Sequence, residues 1–151
     1  MADEPAIRIA TITDTPAIEA LVQEAYTPYV ARIGHKPGPM LDDYHDHVSH
    51  GRAHVTEDAL GIAGLLVLVP GPDALLLDNI AVAPRAQGRG LGRALIAYAE
   101  RTAREQGHNI ITLYTNAAMI ENIALYQRLG YTETHRATEK GFARVYMRKI
   151  L

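Results

Sequence analysis

Apolar and polar residues alternate through Ile7, Ile9 and Thr11, which predicts an opening strand. The period then lengthens. With Thr15 as N-cap and Pro16 at the first helical position, Ile18, Leu21, Val22, Ala25 and Tyr29 fall on one helical face. Ala31 to Pro39 has the composition of a loop, and Met40 to His50 predicts a short helix with Leu41, Tyr44 and Val48 inward. Strands are expected at Ala53 to Glu57 and Ile62 to Val69. The turn Pro70-Gly71-Pro72-Asp73 then leads into Ala74 to Val82, whose run from Leu75 reads as a buried strand. A helix from Gly90 to about Gln106 carries Leu91, Leu95, Tyr98 and Thr102 on one face, and Gly107 ends it. Strand Ile110 to Thr115, helix Met119 to Leu129 and strands Tyr131 to Ala137 and Phe142 to Ile150 complete the order β-α-α-β-β-β-α-β-α-β-β, an α/β arrangement. No repeat or linker divides it, so residues 1–151 are expected to form one domain.

Composition narrows the function classes. A hydrophobic content of 48% and a charged content of 21% are ordinary for a globular chain. A formal net charge of -2 supplies no basic field for nucleic acid. The absence of cysteine excludes a disulfide, a Cys-bound metal and a thiol nucleophile. Met1 to Pro5 is acidic and lacks the pattern of a signal peptide, and the longest apolar run, Leu60 to Pro70, is too short to span a bilayer. The expectation is a cytoplasmic protein with neither nucleic-acid nor membrane partners.

The densest chemical signal is Gln87-Gly88-Arg89-Gly90-Leu91-Gly92, between a buried strand and a helix. The first N–H groups of a helix lack internal partners, and the helix dipole favours an anion there. Glycine lets the backbone approach a phosphate and adopt positive φ. Arg85, Arg89 and Arg93 add positive charge. Three glycines in five residues weaken a helix start without any packing return, which favours a ligand over a mere tight turn. A Walker loop would need Gly-Lys-Ser/Thr. A dinucleotide fingerprint would need Gly or Ala where Arg93 or Leu95 stands, and an acid at the end of the next strand.

The spacing Gln-x-x-Gly-x-Gly, after Ile80-Ala81-Val82-Ala83-Pro84, resembles the acetyl-CoA pyrophosphate loop of the GNAT superfamily of N-acetyltransferases. Leu125-Tyr126-Gln127-Arg128-Leu129-Gly130-Tyr131 resembles the end of that family's second signature. The resemblance is specific over roughly residues 74 to 131. It implies a mixed sheet with helices on both faces and acetyl-CoA as cosubstrate, with no metal. The implied acceptor is a small-molecule or peptide amine that attacks directly in a ternary complex. A homodimer is compatible with this reading.

The resemblance also assigns roles. Ile80, Ala81, Val82, Gln87, Gly88, Arg89, Gly90, Leu91, Gly92 and Arg93 are expected to bind the cofactor. Tyr126 is expected to serve the departing thiolate; a phenol is protonated at neutral pH and can donate. The family's Asn, seven residues before that tyrosine, is replaced by Met119, and Asn122, on the same helical face as Tyr126, is the candidate substitute. The family's base positions hold Leu76 and Tyr114. Asp78 is therefore the nearest acid, and burial among apolar residues would raise its pKa; pairing with an arginine or a bulge cap is the competing reading. Tyr29, Arg32, His35 and Lys36 are candidates for the acceptor pocket.

The cluster Asp42, Asp43, His45, Asp46, His47, His50 and His54 contains i,i+4 pairs with metal-ligand spacing, Asp43 with His47 and Asp46 with His50. A solvated helix face explains it more simply. A CoA-binding module without catalysis and a metal-binding protein are the competing functions.

Overall fold

A computed structural model describes residues 5–151, so the signal-peptide reading of residues 1–4 lies outside the described residues. The described strands are β1 (Ile7–Ile9), β2 (Ala53–Asp58), β3 (Gly61–Pro70), β4 (Leu75–Val82), β5 (Ile110–Asn116), β6 (Thr132–Glu139) and β7 (Phe142–Ile150). They form one sheet in the order β1-β2-β3-β4-β5-β7-β6. Neighbours are antiparallel except β4 and β5, so the expected mixed sheet is present. The helices are α1 (Thr15–Ile33), α2 (Tyr44–Ser49), α3 (Leu91–Glu105) and α4 (Ile120–Arg128).

Strand alternation divides the core into two layers. Leu65, Val67 and Ala81 pack with Ile18, Leu21 and Val22 of α1 and with Tyr44 and Val48 of α2. Leu66, Leu68, Leu75 and Leu77 pack on the other face with Leu95, Ile96 and Ala99 of α3 and Tyr126 of α4. Each large aliphatic side chain buried this way contributes about 1.5–3 kcal/mol relative to exposure. No described helix is long and apolar enough to cross a membrane.

Five expectations change. Thr15 is not the N-cap of α1: a 3-10 turn at Ile12–Asp14 precedes the helix, Asp14 occupies the cap, and Thr15 lies inside it. The Thr11 backbone N–H donates to Asp14 Oδ2 at 2.8 Å, which fixes that entry. α1 also continues past Ala31, through Pro28, and stops where Gly34 turns left-handed at φ 94°. The expected helix from Met40 begins only at Tyr44, because the Asp43 carboxylate accepts from the Asp46 N–H at 3.0 Å and caps α2 there. Leu41, expected inward, lies in the preceding 3-10 turn and is 64% exposed. The buried stripe of α3 runs through Leu95, Ile96, Ala99, Glu100 and Ala103, rotated from the expected face.

The feature that shapes the site is a β-bulge in β4. Val67 pairs with Asn79 and Leu68 with Leu77, so Asp78 is the extra residue. The inserted residue reverses the alternation. Leu75 and Leu77 face α3, whereas Ala81 faces α1. Asn79 consequently lies buried beneath α1 and α2. Tyr26 Oη lies 2.5 Å from its Oδ1, and its Nδ2 donates to Tyr44 Oη at 3.0 Å; Tyr44 in turn donates to the Pro39 carbonyl. This network ties two helices and the 3-10 turn at Gly38–Leu41 to the bulge. Tyr44→Phe would leave the Asn79 N–H without its acceptor and the Pro39 carbonyl without its donor. It is expected to cost about 1–3 kcal/mol of stability. Thermal unfolding checks this, and an unchanged midpoint would show that the network contributes nothing.

The bulge also coincides with a parting of strands. β4 pairs β5 only where Leu75, Leu76 and Leu77 meet Ile111, Thr112 and Leu113. Beyond that, β4 stays with β3 as far as Val82 and β5 stays with β7 as far as Asn116. The sheet therefore opens into a cleft between Asp78–Val82 and the end of β5.

Candidate active site

At the start of α3, Gly88 and Gly90 adopt left-handed conformations, with φ of 81° and 78°. An L side chain at either position would be strained. A Cβ placed on Gly88, Gly90 or Gly92 meets nothing within 4 Å, so the packing of the protein itself does not demand glycine there. Gly90 is the N-cap and offers no side chain to the first turn. The first helical bond runs from the Ala94 N–H to the Gly90 carbonyl at 3.1 Å, which leaves the preceding amides pointing outward. The arrangement suits an anion, with the positive end of a 15-residue helix behind it.

The cavity at this turn, about 550 Å³, is lined by Ile80, Ala81, Val82, Gln87, Gly88, Gly90, Leu91, Gly92, Arg93 and Asn122, all expected to bind the cofactor. Arg89 departs from that expectation. It does not line the cavity, and its guanidinium donates to the Arg85 carbonyl at 3.1 Å. Arg85 is itself held by Asp58 at 3.0 Å. Tyr29, expected at the acceptor, lines this cavity instead. Tyr26, Leu125 and Arg128 also line it, residues to which the sequence pattern gives no binding role.

The open edge of β4 supplies backbone donors. The Ala83 N–H bonds the Ala63 carbonyl at 2.8 Å, so by alternation Ala81 also faces β3, while Ile80 and Val82 face the cleft. Their carbonyls are partly satisfied. Tyr26 Oη lies 3.0 Å from the Ile80 oxygen, and Gln87 Nε2 lies 3.4 Å from the Val82 oxygen. The amides of Ile80 and Val82 remain available to an extended ligand laid along the strand.

A second cavity, about 570 Å³, adjoins the first, with Tyr26, Ile80, Met119, Asn122 and Tyr126 common to both linings. Tyr126 is 5% exposed, and its hydroxyl has no hydrogen-bond partner among the described residues. Burial pushes its pKa well above the usual tyrosine value, so the phenol keeps its proton. Asn122 and Tyr126, one helical turn apart, face the same junction. Met119, at the family's asparagine position, caps α4 and receives the Thr115 hydroxyl on its sulfur at 3.8 Å.

Asp78 lines the second cavity, but its surroundings are polar, not apolar as expected. Tyr114 donates to its Oδ1 at 2.7 Å, and His47 Nε2 lies 3.8 Å from its Oδ2. Burial, followed by the hydrogen bond to Asp78, raises the Tyr114 pKa and keeps that phenol a donor. The His/Asp cluster divides. His45, Asp46 and His50 are exposed, as a solvated face requires. His47 is buried, and its partner is Asp42, at 2.7 Å, not the i−4 residue Asp43. The Asp42 carboxylate raises the His47 pKa against the opposing effect of burial, and Asp42 is lowered in turn. Asp42, His47 and Asp78 bring their ligand-type atoms within 4.8 Å of one another, a set that can exchange a proton or take a divalent cation. His54 lies apart, bonded to Tyr98 on α3 at 3.0 Å.

Arg32, His35 and Lys36 line neither cavity. Arg32 is exposed and bonds both carboxylate oxygens of Glu121 at 2.8 Å, and the His35 ring packs edge-on against Phe142 at 5.1 Å. Lys140 and Arg144 line the second cavity instead, from a hairpin whose approach to the site no local pattern announces.

The acetyltransferase (GNAT) family model matches residues 17–131. The chain is 32% identical over 136 residues to the uncharacterized N-acetyltransferase YjgM of Escherichia coli (strain K12), covering 84% of this chain and 81% of that protein. The matches to three other curated relatives extend over 16% to 61% of those proteins' length. Among solved structures, the ribosomal-protein-alanine N-acetyltransferase from Brucella melitensis superimposes with a TM-score of 0.76 at 24% identity, over 97% of this chain and 99% of that one. The PaiA N-acetyltransferase from Thermoplasma acidophilum, in complex with coenzyme A, superimposes with a TM-score of 0.78 at 14% identity over the full length of both chains. The left-handed glycine turn, the parted strands and these matches together make this chain a member of the GNAT family of acetyltransferases.

Proposed function

We propose that the chain moves the acetyl group of acetyl-CoA to a primary amine by direct attack in a ternary complex. The observation that carries this reading is the meeting of two cavities at Tyr126. One holds the anion site of α3 and the open edge of β4; the other holds Asp78. The coenzyme A bound to the Thermoplasma acidophilum neighbour supports the choice of cosubstrate. The pyrophosphate lies at the amides of Leu91 to Arg93, with Arg93 and Arg128 beside it. The pantetheine runs along β4, past Asn122, and an amide of Ile80 or Val82 holds the thioester oxygen as charge develops.

The amine enters through the second cavity. Its lone pair forms the C–N bond, the C–S bond breaks, and Tyr126 donates a hydrogen bond to the departing thiolate. Asp78 receives the proton of the attacking amine, directly or through water, with His47 as the next acceptor. A carboxylate alone is poorly matched to an ammonium, whereas an imidazole with a raised pKa is closer. The pH profile follows from the sign of that shift. The His47 pKa is raised, so kcat/KM is expected to climb as pH passes above the ordinary histidine value and the imidazole loses its proton.

The test is CoA release across a panel of primary amines, in the wild type and in Asp78→Asn. Turnover in the wild type is expected, with a rate loss of roughly 10- to 1000-fold and a displaced ascending limb in the variant. An unaltered limb and rate would return Asp78 to a structural role. Binding of CoA without turnover of any amine would leave a CoA-binding module and overturn the transfer reading.

A further inference from the structure

The second cavity is charged oppositely at its two ends. At the inner end stands Asp78, its carboxylate 3.8 Å from the His47 imidazole, and the more exposed Asp42 lies on the same imidazole nitrogen at 2.7 Å. At the outer end stand Lys140 and Arg144. Tyr114 joins the ends. Its hydroxyl donates to Asp78, and its ring carries the Arg144 guanidinium 4.5 Å from the centroid. Arg144 is mostly covered, at 19% exposure. Among the described residues its ion-pair partner is Glu139, which meets a single terminal nitrogen at 3.3 Å, and the Tyr146 hydroxyl also lies against the guanidinium, so part of the planar donor fork is left for a ligand.

Lys140 is placed at a conformational cost. It is the one non-glycine residue with left-handed φ among the described residues, at 52°. It heads the two-residue turn Lys140-Gly141 between the paired residues Glu139 and Phe142, a position that glycine, asparagine and aspartate fill with less strain. A long cation is thus held at the rim of the cavity.

We infer that the acceptor is a zwitterion, a primary amine carrying a carboxylate. Its ammonium lies against Asp78 at the inner end, beside the reacting thioester, and its carboxylate lies on the Arg144 fork with Lys140 at the rim. This rests on the acetyl-transfer reading above. A polyamine would place a second ammonium against Arg144 and Lys140, and a neutral amine would leave both unused. A carboxylate answers the planar guanidinium with two parallel hydrogen bonds.

The experiment offers free α-, β- and γ-amino acids with acetyl-CoA, each beside its own carboxamide, and reads CoA release. The carboxamides have the lower amine pKa, so a preference for the acids cannot come from easier deprotonation. The expected result is a kcat/KM roughly 10- to 100-fold higher for the preferred amino acid than for its carboxamide, the size of a charge-assisted pair. That ratio should fall toward one in Arg144→Gln and fall in part in Lys140→Asn, which suits the turn. Carboxamides or simple amines used as well as the acids would overturn the inference, as would an Arg144→Gln variant that lowers both classes alike. If no amino acid or carboxamide is turned over while another primary amine is, the inference is overturned; if CoA binds and no primary amine at all is turned over, the transfer reading fails. Calorimetric titration of the same pairs into CoA-saturated protein then decides the inference separately: preferential binding of the acids upholds it, and equal or absent binding overturns it.

Discussion

Gly90→Asp is expected to raise the dissociation constant for acetyl-CoA by roughly 100-fold, the equivalent of losing one or two hydrogen bonds to a charged group. Two effects combine. Gly90 has φ 78°, where a Cβ is strained, and it caps the helix whose free amides would face the pyrophosphate. A carboxylate there takes up those amides itself and repels the phosphates. Gly90→Ala separates the contributions, since it adds the Cβ without the charge and should weaken binding less. Calorimetry with CoA on variants shown to be folded is the measurement. Wild-type affinity in folded Gly90→Asp would place the pyrophosphate elsewhere.

Tyr126→Phe should lower kcat by roughly 10- to 1000-fold with little change in CoA affinity, because the lost hydrogen bond forms only as the thiolate departs. The packing cost of the change is small. The ring stays in its contact with Tyr131, centroids 6.0 Å apart, and the hydroxyl leaves no partner behind among the described residues. A folded variant with full turnover, under conditions where the chemical step limits the rate, would make Tyr126 a core residue only. A parallel loss of CoA affinity would instead assign it to binding.

The two predictions rest on residues of different visibility. Gly88 and Gly90 announce themselves, because a demand for positive φ is a property of single residues and shows in composition. Tyr126 and Asn122 follow from helical period once α4 is assigned. Asp78 is visible as the nearest acid on β4, yet its setting is not. Its neighbours Tyr114 and His47 lie 36 and 31 positions away in the chain. His47 was hidden by its company, since six other His and Asp residues surround it in sequence and only its place beside Asp42 and Asp78 sets it apart.

What the amino-acid sequence by itself determined was the order of elements, the left-handed glycine turn at the start of α3 and the helical face that presents Asn122 and Tyr126. These depend on periods of two and 3.6 residues and on backbone freedom at single positions, which are local quantities. Only the tertiary structure decided the rest. One inserted residue, Asp78, reverses the alternation of β4 and turns Asn79 beneath α1 and α2. The parting of β4 from β5 after Leu77 creates the cleft. The hairpin of β6 and β7 brings Lys140 and Arg144 to a cavity where Arg32, His35 and Lys36 were expected. Register, bulges and strand order join residues far apart in the chain, and no short-range pattern of side chains encodes which of them will meet.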